Sequence, residues 1–125
     1  MRWSIEYLEP HDYVHVALRG SVASGDFDKM HKDIIAHEAW RPGLDILFDD
    51  TELDTDNLYT SDIEYVAELI AAMRSDYEQS RMAIVVSSDV QFGLARQLQS
   101  MTEVQTGTQI RVFINEEEAA SWLMT

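Results

Sequence analysis

The sequence predicts an α/β fold, a five-stranded mixed and mainly parallel sheet with four helices in the order β-β-α-β-α-β-α-β-α. Three observations predict it. Alternating apolar residues open the chain, as in half-buried strands. Segments of helical spacing then alternate with short apolar runs, the pattern of strand–helix crossovers and a parallel sheet. One of those runs, Met82-Ala83-Ile84-Val85-Val86, is apolar on both faces, as an interior parallel strand requires.

In chain order, Trp3, Ile5 and Tyr7 alternate with Ser4 and Glu6 and form the first strand. Glu9-Pro10-His11-Asp12 makes a turn, and Val14, Val16 and Leu18 alternate through the second strand, antiparallel to the first. After Ser24-Gly25, Phe27, Met30 and Ile34 recur at helical spacing, with Asp26 and Asp28 where a helix N-terminus favours anions. Trp40-Arg41-Pro42-Gly43 stops that helix, and Leu44 to Asp49 is the third strand.

The second helix runs from Thr60 to Gln79. Ser61 and Glu64 have capping-box spacing, and Ile63, Val66, Ala67, Ile70, Met73 and Tyr77 form one apolar stripe. Arg81 to Ser87 is the fourth strand. Asp89 caps a third helix carrying Phe92, Leu94, Ala95, Leu98 and Met101, and Gln109 to Ile114 is the last strand. Asn115 with Glu118 caps a terminal helix that packs Ala119, Trp122 and Leu123. The expected core includes Ile46, Phe48, Ile70, Ile84, Val85, Val112 and Trp122.

The 125 residues fit one domain, residues 1–125. Nine basic against 23 acidic residues give a net charge of −14. Such a field repels phosphate backbones, so no nucleic-acid partner is expected. No run approaches the about 20 apolar residues of a membrane span. The chain has no cysteine, which excludes disulfides and thiolate chemistry. With no signal-peptide-like stretch at its start, a cytoplasmic location is expected.

The chemistry-bearing motifs are few. His31 and His37 lie roughly 240° apart around a helix and cannot share a metal through one face. Five carboxylates crowd Asp49 to Asn57, but neither possible register supplies the glycine and glutamate of a calcium loop. They read as a solvated loop. No phosphate-binding glycine loop, GxSxG or HExxH is present. No catalytic residue, metal or cofactor is expected. Ligands of parallel sheets bind beyond the carboxyl ends of the strands, which draws attention to Asp49, Asp50 and Ser87 to Asp89.

Several strings resemble the STAS domain and its small Sec14-like, SpoIIAA-like relatives. They are Phe48-Asp49, Arg81-Met82-Ala83-Ile84-Val85, Phe92-Gly93-Leu94-Ala95-Arg96, Val112-Phe113 and Glu118-Ala119-Ala120-Ser121-Trp122-Leu123. The resemblance covers nearly the whole chain. It implies helices mainly on one face of the sheet and a module that works by binding a protein partner or a small ligand. In anti-sigma-factor antagonists of this family a phosphorylatable serine follows the third strand in an Asp-Ser-Ser-Gly-like turn. Here Asp49 matches the aspartate, but Asp50-Thr51-Glu52 follow it, so no recognisable phosphoacceptor motif is present. Thr51 and Ser61 are hydroxyls by location.

The expected function is a non-catalytic regulatory or protein-interaction module, its partner surface at Asp49, Asp50, Thr51 and Ser61. The alternative is a carrier or sensor of a small apolar or lipid-like ligand. Its pocket walls would be Ile63, Val66, Ile70 and Met73, with the acidic loop as hinge and a cavity of about 300 Å³ or more.

Overall fold

The computed structural model describes residues 1–125. Its elements are β1 (Arg2–Leu8), β2 (Tyr13–Ser21), α1 (Asp26–Ala36), β3 (Asp45–Asp54), α2 (Thr60–Ala72), α3 (Arg74–Tyr77), β4 (Arg81–Val85), α4 (Asp89–Thr106), β5 (Gln109–Phe113) and α5 (Glu116–Leu123). The strands lie side by side in chain order, with β1 antiparallel to β2 and every later pair parallel. When strands are added in one direction, right-handed crossovers carry successive helices over the same face.

Strand alternation divides the interior accordingly. Val14, Val16, Ile46, Phe48, Met82 and Ile84 face α1, α2 and α4 in the larger core, with Met30, Ile34, Val66, Ile70 and Ala95. Leu47, Ala83 and Val85 face the other way and pack with Tyr13 under Ala119 and Leu123 of α5. Ile46, Phe48, Ile70, Ile84 and Val85 are buried as the sequence predicts, whereas Val112 and Trp122 are half-buried.

The expected third strand stops at Asp49, but β3 continues to Asp54. Its second half pairs with Arg19, Gly20 and Ser21 of β2 after a bulge. Between the pairs Ala17–Asp49 and Arg19–Glu52, β2 spends one residue and β3 spends two. Asp50 and Thr51 therefore oppose Leu18 alone. Bulges are rare in parallel pairs and characteristically re-aim a side chain. The acidic segment is thus mostly strand, and only residues 55–59 link it to α2.

The expected helix from Thr60 to Gln79 is two helices, which makes five in all. At Met73 the backbone leaves helical geometry (φ −99°, ψ 28°), and the short α3 that follows presents Tyr77 to the interior, fully buried. The cap also differs. Asp62, not Glu64, reaches back to accept the Tyr59 amide at 2.8 Å, and Ser61 lies exposed inside the first turn. Ser88 rather than Asp89 caps α4, accepting the Gln91 amide at 3.1 Å. Asn115 caps α5 by accepting the Glu118 amide at 3.1 Å. Gly107 ends α4 at φ 73°, a left-handed conformation that glycine adopts without a Cβ penalty.

Helix α5 is tied down at its far end. The Arg81 guanidinium donates to the Trp122 and Leu123 carbonyls at 3.0 and 2.6 Å and to Asp45 at 2.9 Å. Terminal helix carbonyls lack partners of their own. Arg81→Met should cost about 1–3 kcal/mol, the scale of charge-assisted hydrogen bonds, and should speed amide exchange in residues 116–123. Unchanged exchange there would mean that packing alone holds the helix.

Candidate functional site

On β3, Ile46, Phe48 and Asp50 follow one another on the helix-covered face, so a carboxyl group continues a row of core side chains. Asp50 Oδ1 is sealed from solvent and accepts no hydrogen bond. Burial pushes the carboxyl up to about 7, with the neighbouring Asp49 charge adding to the effect.

The carboxyl borders a cavity of about 60 Å³ walled by Phe27, Leu53, Leu58, Ile63, Val66, Ile84 and the inner side of α4. A second cavity of about 50 Å³ adjoins it and is lined by Met30, His31, Phe48, Ile70 and Met82 among others. His31 Nδ1 lies 2.7 Å from the buried Tyr77 hydroxyl. Burial lowers His31 to about 4 and raises Tyr77, so at neutral pH an uncharged imidazole faces an uncharged phenol.

Of the expected pocket walls, Ile63 and Val66 line the first cavity and Val66 and Ile70 the second. Met73 lines neither, because α2 ends before it. Each space, at about 60 and 50 Å³, is well below the about 300 Å³ a drug-sized ligand needs.

Of the four residues expected to form a partner surface, only Asp49 and Thr51 come together. Asp49 points to the α5 face, where its Oδ1 accepts the Thr51 amide and hydroxyl at 3.0 and 2.7 Å. Asp50 is interior, and Ser61 is exposed on α2. Alternation and the bulge separate side chains that adjoin in sequence.

The carboxyl end of the sheet instead carries an open depression lined by Thr51, Val86, Ser87, Ser88, Asp89, Phe92 and Ile114. Phe92 is 38% and Ile114 76% exposed. The sequence places Phe92 in the buried stripe of its helix. The usable signal was that Val90 and Phe92 precede the Leu94–Leu98 stripe at the helix's first turn, where side chains overhang the strand ends.

Gln91 stitches this rim to β3. Its amide nitrogen donates to the Thr51 and Leu53 carbonyls at 3.3 and 3.1 Å, and its oxygen accepts the Ser87 amide at 2.7 Å.

One group on the opposite face has metal-ligand types. His15, Asp49 and Glu116 bring ligand atoms within 4.8 Å of one another, with His15 Nε2 and Glu116 Oε1 2.8 Å apart. Spacing could not reveal it, since β2, β3 and α5 each supply one member.

No family model and no curated protein matches this sequence. Among solved structures, the chain is similar to an uncharacterised protein of the DUF3478 family with a SpoIIAA-like fold from Shewanella loihica PV-4. The two share 19% identity at a TM-score of 0.62, over 98% of this chain and 92% of that one. The fold is therefore SpoIIAA-like, a five-stranded mixed α/β sheet. No helix is long and apolar enough to cross a membrane.

Proposed function

We propose that this chain is a non-catalytic protein-interaction module of STAS type that docks its partner on the rim at the carboxyl ends of β3, β4 and β5. The observation that carries the reading is the exposure of Phe92 and Ile114 in one depression. Parallel sheets bind at this end, and exposed apolar groups rimmed by hydroxyls and carboxylates mark contact surfaces. The net charge of −14 favours a partner whose apolar contact is flanked by basic residues, and it speeds their encounter at low salt.

The test compares capture from native extract by the unaltered chain, by Phe92→Glu/Ile114→Glu, and by Val104→Glu. Val104 is 87% exposed near the opposite end of α4 and serves as the control. The rim variant should lose the captured protein while the control keeps it, with both melting temperatures within a few degrees of the unaltered chain. Equal capture by all three would reject the rim as the docking surface.

A further inference from the structure

We propose that the space around Asp50 is a binding site for a compact, uncharged apolar molecule carrying a single hydroxyl group, of the size of phenol or a short branched alcohol. The inference is independent of the rim and stands on what the cavity lacks. Asp50 Oδ1 is an acceptor closed off from water with no donor in reach, and buried polar atoms are rarely left so.

No side chain of the protein donates to it. Gln91, the nearby carboxamide, is committed to the Ser87 amide and the Thr51 and Leu53 carbonyls. His31 in the adjoining space is engaged through Nδ1 with Tyr77. A guest that brings one donor would meet this one acceptor atom. An ammonium group would bring three and leave two unmet among apolar walls. A single hydroxyl meets Oδ1 and brings no surplus donors into the apolar space.

Size and access agree with this choice. The two cavities share Phe27, Asp50, Val66, Ile84 and Leu98 as walls, so only side chains divide them. Their volumes of about 60 and 50 Å³ approach, when joined, the roughly 150 Å³ of an apolar cavity that admits benzene. A lipid chain does not fit. Phe27 and Leu58 also line an outer groove between α1 and α2. Those two side chains therefore stand between the inner space and the groove.

The experiment follows melting temperature and methyl NMR shifts of the full chain with phenol, toluene and butylammonium. Phenol should raise the melting temperature with the logarithm of its concentration and shift the methyls of Ile63, Val66, Ile84 and Leu98 saturably. Toluene should need at least tenfold more for the same effect. Asp50→Leu should erase that preference, and Ala95→Leu should fill the first cavity and abolish both responses.

Equal binding of phenol and toluene to the unaltered chain would overturn the proposal by leaving only an apolar void. Butylammonium outcompeting phenol would overturn it in favour of a cation site. Absence of shifts at the four named methyl-bearing residues would overturn it outright. That last readout uses the unaltered chain alone, so it holds even where a variant fails to fold.

Discussion

At pH 8 the Asp50→Asn protein is expected to be more stable to urea than the unaltered chain, by up to about 4 kcal/mol. The Asp50 carboxyl moves from an ordinary 3.8 to about 7 on folding. Between those values the folded chain holds a proton that the unfolded chain has released, so stability falls as pH rises. The contribution of the protonated group is complete below about pH 4 and is gone once pH has risen through 7. At pH 8 the native protein must therefore keep a charge in an apolar site, and asparagine removes that charge. Its amide brings donors of its own, which keeps the gain below the full amount.

His31 works in the opposite sense. Its ring moves from 6.5 to about 4 on folding, so its contribution of about 3 kcal/mol is complete above about pH 6.5 and is lost as pH falls through 4. Between pH 4 and 6.5 the two slopes offset each other in the unaltered chain. The asparagine variant keeps only the histidine slope and should lose stability steadily on acidification over that window. Urea unfolding at pH 8, 6.5 and 4.5 separates the cases. Parallel profiles for the two proteins would show that Asp50 gains no proton on folding.

Ile84→Ala should cost about 2–5 kcal/mol, the range for emptying a buried aliphatic site. Ile84 is 4% exposed and walls both cavities, so shortening it joins them instead of leaving an isolated gap. Added benzene should then return part of the lost stability to the variant and little to the unaltered chain, seen as a rise in melting temperature. A cost below about 1 kcal/mol would mean that α2 and α4 collapse onto the vacancy.

The strands and helices were legible because their apolar periods are local. Phe48 and Ile84 announce buried strand faces by alternation alone, and Asn115 with Glu118 announces the start of α5. The second half of β3 was not legible, since five carboxylates between Asp49 and Asn57 look like a solvated loop. One clue was available: Leu53 is out of phase with Phe48, as only an extra residue between them allows. Asp49 and Asp50 are chemically identical in sequence. Only the pairing of β3 with β2 decides which one meets water and which one the core.

The break at Met73 interrupts a stripe whose spacing is continuous, and it reflects Tyr77 meeting His31, which lies 46 positions earlier in the chain. The polar part of the rim, Ser87 to Asp89, was legible from its place at a strand end, but its apolar part escaped notice for a related reason. Phe92 has the residue type of a core position but stands at a helix start that projects past the sheet. The cluster of His15, Asp49 and Glu116 required three elements to be brought together.

The length of β3 has a further consequence. It pairs with β4 only as far as Asp49 opposite Val85, yet it runs on to Asp54, leaving a bare margin on that side. Unpaired strand margins recruit foreign strands, which is a standard route to aggregation. Here two side chains close the gap, and the smaller part falls to the Ser87 hydroxyl, which donates to the Thr51 carbonyl at 3.0 Å. By donating to the Thr51 and Leu53 carbonyls, the Gln91 carboxamide stands where the next peptide of β4 would have stood, and it is held there by α4. Together with Ser87 it plugs the margin, and it lets the central strand outgrow its neighbour without offering a template to another chain.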